Sequence, residues 1–112
     1  MMQKIVISLG GSVILSDDAD LIFYKNLNKI LSNLSSKYKI FIVVGGGKTA
    51  REYIRLGRKL GLNEEMLDDL GIKITHINAK LLASILENSN KNIPLTTKEA
   101  IEINKKIVIM LF

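Results

Sequence analysis

The sequence predicts an α/β fold: a mostly parallel sheet with helices on both faces. Apolar, β-branched runs alternate with stretches whose apolar residues recur every three or four positions, as strands alternate with helices around a parallel sheet. Two of the runs stop abruptly on glycine. Finally, no internal repeat, low-complexity linker or compositional break divides the 112 residues, so one domain is expected.

Each element follows in order. Lys4 to Leu9 (KIVISL) is a short buried strand that ends on Gly10 and Gly11. Asp17 and Asp18 stand where a helix N-cap belongs, and Leu21, Tyr24, Leu27, Leu31 and Leu34 mark one face of a helix that fades at Ser35 and Ser36. Lys39 to Val44 (KIFIVV) is a second buried strand and runs into Gly45. Ala50 to Leu60 is helical, with Tyr53, Ile54, Gly57 and Leu60 on its inner face and Gly61 as the C-cap glycine. Leu67, Leu70, Ile74, Ile77, Leu81 and Ile85 form another stripe, interrupted at Gly71, which predicts a short helix followed by a longer one. Ile93 to Leu95 is expected as a brief edge strand, because Pro94 cannot donate to a ladder. Thr97 caps a short helix to about Asn104, and Lys106 to Phe112 (KIVIMLF) is a third strand.

Composition narrows the function classes. No run approaches the ~18 apolar residues of a membrane span, and the N-terminus reads as a strand rather than a secretion signal. With no cysteine there are no disulfides or thiolate metal sites, and a cytoplasmic location is expected. A single histidine, His76, supports no metal site and reads as a packing or surface residue. The net charge of +5 comes from 16 Lys and Arg scattered among 11 Asp and Glu, with only 5% aromatics. That pattern fits a charged solvent face and not a nucleic-acid surface, while leaving an anionic small molecule open.

The stretch VVGGGKTAREYI (43–54) carries the chemistry. A P-loop using Gly47, Lys48 and Thr49 as its tail would need its first glycine at Ile42, inside the strand, and fails. Gly45, Gly47 and Ala50 satisfy the dinucleotide-binding spacing. The acidic partners Asp68 and Asp69, however, lie in a helical stretch with no strand before them. A third device pairs two turns: Gly10-Gly11-Ser12 after the first strand and Gly45-Gly46-Gly47-Lys48 after the second. In a parallel sheet both lie at the carboxyl edge, where bare N–H groups and a helix start can receive phosphate oxygens, with Lys48 adding positive charge. Each run alone could equally be no more than a tight turn.

ISLGGSVI (7–14), VVGGGKTAREYIRLGRKLG (43–61) and LDDLGIKITHINAKLL (67–82) resemble, in order and spacing, the archaeal-type uridylate (UMP) kinases of the amino acid kinase family. The two glycine turns are shared across that family. Gly-Gly-Gly-Lys followed by Ala50-Arg51, with Asp68-x-x-Gly71 and Asn78-Ala79, is more specific to the uridylate branch. The resemblance implies transfer of the ATP γ-phosphoryl to UMP with Mg²⁺. It puts Gly10, Gly11, Ser12, Gly46 and Arg51 on ATP, and Gly45 and Asp68, through the ribose hydroxyls, on UMP. It also implies a homo-oligomer in the complete family member. Ser8 departs from the lysine that bacterial relatives carry near the first turn, and Lys48 is the expected substitute.

The family's strand equivalent to Lys106–Met110 leads into a glycine- and threonine-rich loop around the UMP phosphate, and its second half holds the adenine site. Here Met110 is followed by Leu111 and Phe112. The sequence therefore resembles an N-terminal, acceptor-side portion, expected to be inactive alone. The alternative is a non-catalytic nucleotide-phosphate-binding or assembly fragment that complements a separate C-terminal half. Such a piece, with apolar sheet surface left bare, is expected to be oligomeric, aggregation-prone or partner-dependent.

Overall fold

The computed structural model describes residues 2–16 and 20–112. The described elements run β1 (Gln3–Leu9), α1 (Gly11–Ile14), α2 (Leu21–Ser35), β2 (Tyr38–Val44), α3 (Gly47–Lys59), α4 (Glu64–Ile85), α5 (Thr97–Glu102) and β3 (Ile107–Leu111). The strands form one parallel sheet in the order β1-β2-β3, with Leu9 opposite Val44 and Val44 opposite Leu111.

The pleat sorts side chains between the two faces. Ile40, Ile42, Val44, Ile107 and Ile109 pack beneath Ile14, Leu31, Ala79, Leu82 and Leu86, so α1, α2 and α4 share one face. Phe41 and Val108 point the other way and pack on Ala100 of α5. Helices thus lie on both faces, as predicted. The α5 cover is partial, since Val6 on β1 is 69% exposed.

Helix starts follow local chemistry. Asp17 and Asp18, expected as caps, lie outside the described residues, and the cap of α2 is Asp20, whose Oδ1 accepts from the Phe23 N–H at 2.9 Å. Asn63 Oδ1 caps α4 through the Met66 N–H at 2.9 Å, with Glu64 and Glu65 in the first turn complementing the helix dipole. Thr96, one residue before the predicted Thr97, caps α5 by accepting from the Glu99 N–H.

Several expectations need correction. Gly71 does not break the helix; α4 is continuous over 22 residues, and Gly71 gives room for the Ile54 side chain of α3. Tyr53 and Leu60 are exposed and not inward, because α3 packs chiefly on α4 and α1 as an outer helix. Its contact with α4 is made by Gly57, where a Cβ would stand 2.7 Å from Leu67 Cδ2. Ile77 and Leu81 are likewise exposed. The second half of α4 turns Asn78, Ala79, Leu82 and Ala83 to the core as it leaves α3 and crosses the sheet.

The segment from 93 to 95 is not a strand. Ser89 makes an isolated parallel bridge to Ile107 instead. The Asn90 side chain donates to Ile109 O at 2.9 Å and accepts from Ile109 N–H at 2.7 Å, imitating a strand partner along β3.

The outward turn of α4 is directly testable. Leu82→Ala should cost about 2–5 kcal/mol in urea unfolding, whereas Ile77→Ala, at a 64% exposed site, should stay within about 0.5 kcal/mol. Similar losses at both positions would contradict the packing described.

Candidate functional site

Because β1 and β2 run parallel with Leu9 opposite Val44, the chain leaves both strands at the same level. The two turns therefore start side by side at the carboxyl edge and interlock. A Cβ on Gly11 would lie 2.6 Å from Gly45 O and 2.8 Å from the Gly46 carbonyl carbon. A Cβ on Gly47 would lie 2.5 Å from Ser12 N, and Gly47 also sits at φ +64°, a left-handed backbone that favours glycine. Side chains at either position would push the turns apart.

Polar contacts tie the same junction. Ser12 Oγ accepts from the Lys48 backbone N–H at 3.1 Å and lies 3.5 Å from Arg51 Nη2. Asn78, 2% exposed on α4, donates its side-chain amide to Gly45 O at 3.0 Å and Gly46 O at 3.3 Å.

Beyond the junction opens a cleft of about 530 Å³, lined by all three glycines of the second turn together with Arg51, Asp68 and Thr75, among others. The first turn stands beside this cleft, behind Gly47. The predicted ligand residues Gly45, Gly46, Arg51 and Asp68 are thus brought to one hollow, and Gly10, Gly11 and Ser12 adjoin it. Lys48 does not line it. Its ammonium lies 3.8 Å from Glu52, and its side chain is 77% exposed. Asp69 is taken up by Lys73 at 2.6 Å, while Asp68 makes no ion pair among the described residues. Asp68 also borders a second depression of about 780 Å³ along the outer side of α4, whose rim carries Glu65 and Asp69 and so repels phosphate. His76 lies on α4, half-buried, outside both hollows.

Two contributors were not singled out as site residues from the sequence. Thr75 lines the cleft and returns its hydroxyl to Gly71 O at 2.8 Å, and Asn78 holds the second turn. The available signal was Asn78 itself, a polar residue at a helical position that faces a core of Ala79, Leu82 and Ala83. Among the described residues no group of three or more His, Asp or Glu converges as a metal ligand set, and no helix is long and apolar enough to cross a membrane.

The glycines divide into two kinds. Gly47→Ala should destabilise the chain by roughly 2 kcal/mol or more, because it meets both strain and backbone contact. Gly10→Ala and Gly45→Ala meet nothing within 4 Å and should leave the urea midpoint nearly unchanged. Equal sensitivity across the three would contradict the interlocked turns.

Comparison with known proteins agrees with this geometry. Residues 3–109 match the amino acid kinase family. A uridylate kinase of Thermoplasma volcanium is 54% identical over 104 residues, which cover 92% of this chain and 45% of the relative. One from Methanobrevibacter smithii is 44% identical over 111 residues, covering 96% and 49%. Among solved structures, uridylate kinase from Archaeoglobus fulgidus matches with a TM-score of 0.85 at 37% identity, covering 97% of this chain and 50% of that one. UMP kinase from Ureaplasma parvum matches at 0.72 and 25% identity, covering 99% and 54%. The chain thus spans about half the length of the curated relatives it matches. With the match running across nearly all its residues and the fold shared, the chain belongs to the amino acid kinase family.

Proposed function

We propose that these residues form the N-terminal, phosphoryl-acceptor side of a UMP kinase, which transfers the γ-phosphoryl of ATP to a phosphate oxygen of UMP to give UDP and ADP. The observation that carries this is the convergence of two interlocked glycine turns, Arg51 and Asp68 on and beside one cleft. In-line phosphoryl transfer needs positioning and neutralisation of the equatorial oxygens more than it needs a general base. Backbone N–H donors at the start of α3 and the Arg51 guanidinium are suited to that work. The relatives' name, uridylate kinase, supports UMP as acceptor.

In this reading Gly10, Gly11, Ser12, Gly46 and Arg51 face the ATP phosphates. Gly45 approaches UMP, and the Asp68 carboxylate accepts from the ribose hydroxyls. Lys48 reaches the transferred phosphoryl by leaving Glu52, an exposed pair that costs roughly 0–1 kcal/mol to break. The described residues offer no carboxylate cluster to hold Mg²⁺, so the ion would arrive on the ATP phosphates, where it usually keeps several waters. A cytoplasmic setting and a homo-oligomeric complete enzyme belong to the same proposal. A second reading is a non-catalytic nucleotide-phosphate-binding or assembly fragment that complements a separate C-terminal half, and the apolar sheet surface left open at Val6 on β1 suits such a partner.

Calorimetry should show UMP binding to the 112-residue chain, weakened about tenfold or more by Asp68→Ala, as expected for loss of hydrogen bonds to a charged group. A coupled assay should show no UMP-dependent ADP formation by the chain alone. Binding indifferent to Asp68, or turnover by the isolated chain, would refute the corresponding part of the proposal. In a complete enzyme of this branch, Lys48→Ala should lower turnover by about 100-fold; unchanged turnover would remove Lys48 from the chemistry.

A further inference from the structure

We propose that Asn78 is a positioning residue for the phosphate wall, holding two carbonyls of the second glycine turn so that the N–H groups of the same peptide units are fixed in direction. What those donors bind rests on the UMP kinase reading above; the positioning itself does not. A trans peptide is planar, with its C=O and N–H pointing in opposite directions. The Gly45 carbonyl belongs to the peptide unit that carries the Gly46 N–H, and the Gly46 carbonyl to the unit that carries the Gly47 N–H. Asn78 Nδ2 donates to both carbonyls, at 3.0 and 3.3 Å, from the core side; the Gly46 carbonyl also accepts the Ala50 N–H of α3 at 3.3 Å, whereas Asn78 supplies the side-chain hold on Gly45. Both N–H groups are therefore turned away from Asn78, toward the side on which these glycines line the cleft. Neither donates to a backbone acceptor among the described residues, which leaves two adjacent donors at the start of α3.

The side-chain orientation of Asn78 is fixed by chemistry, since two carbonyl oxygens can be satisfied only by its nitrogen. Its location is also costly. A polar amide 2% exposed beside Ala79, Leu82 and Ala83 is tolerated only when hydrogen-bonded, and its amide donors are spent on the turn. The first turn closes down on the same group, since a Cβ on Gly11 would stand 2.7 Å from Asn78 Nδ2. One side chain thus sets the spacing of both turns from beneath, without touching the cleft itself.

The test uses the 112-residue chain and nuclear magnetic resonance. In the wild type, the Asn78 side-chain amide protons should exchange far more slowly than a free primary amide and show contacts to the Gly11 and Gly45 α-protons. Exchange at the free-amide rate overturns the proposal whatever the variants do. In Asn78→Ala the Lys48 amide, which donates to Ser12 Oγ, should exchange at least tenfold faster while the Ile42 and Val108 amides keep their rates. Acceleration of all amides alike would mean that Asn78 merely packs the core, and overturns it.

Asn78→Asp supplies a readout that a packing role would not move. Ionised, the carboxylate faces two carbonyl oxygens and should displace the Gly46 and Gly47 resonances. Protonated at low pH, it can donate once, and those resonances should return toward wild-type positions. Displacement that is independent of pH counts against the proposal. Addition of UMP or ADP separates the two readings. If Asn78 behaves as stated but neither nucleotide shifts the Gly46 and Gly47 amides, the kinase reading fails and the positioning stands.

Discussion

The parallel pairing of β1 with β2 is the constraint on which the site depends. Leu9 opposite Val44 places the exits of both strands at one height, so two turns far apart in sequence become a single junction. A slip of one residue would invert every side chain of β1 relative to the core and separate the turns by more than 3 Å, roughly one strand rise. Ile5 and Ile7 resist such a slip by packing toward the Ile40–Ile42–Val44 face. The close approach of Gly11 to Gly45 and of Gly47 to Ser12 then requires bare backbone at both points. Core packing and site geometry are therefore set by the same register.

Two layers of support stand behind the turns. The nearer is Asn78, which joins α4 to the second turn by hydrogen bonds and to the first by contact. The farther is the α3–α4 pair, closed at Gly57 against Leu67 and at Gly71 against Ile54, which brings Arg51 of α3 and Asp68 of α4 to the same cleft. The sheet itself is finished unevenly. Asn90 satisfies Ile109 on the outer side of β3, whereas Val6 on β1 remains largely exposed. Apolar surface of that kind suits cover from further sheet, helix or partner, in keeping with a match to half of longer relatives.

Much of this was legible in the residues. The three strands, the inward face of α2 from Tyr24 to Leu34 and the glycine C-cap at Gly61, which sits at φ +86°, follow from apolar runs and turn chemistry, whereas Leu21, expected on the same face, is 69% exposed in the first turn of α2. The grouping of Gly45, Gly46, Arg51 and Asp68 followed from the family resemblance, and the structure brings those residues to one cleft. What the sequence hid was context. A stripe such as Leu67 to Ile85 does not reveal that α4 faces α3 in its first half and the sheet in its second, which is why Ile77 and Leu81 turn outward. Tyr53 and Leu60 carry the same period as a buried face, but α3 is an outer helix. Gly71 looked like a break because its value is steric space for Ile54, and such space belongs to tertiary packing and not to local propensity. Asn78 escaped notice as a site residue because its partners lie 33 and 32 residues away on the chain.

The central claim is that the two glycine turns form one phosphate-facing wall. Its most direct measurement is a nucleotide titration of the ¹⁵N-labelled chain, followed at the backbone amides of Gly11, Ser12, Gly46 and Gly47 together. A single wall predicts that all four move along one shared saturation curve, while Ala100 and Val108 on the opposite face of the sheet stay still. Movement confined to one turn, or two curves with different midpoints, would contradict it.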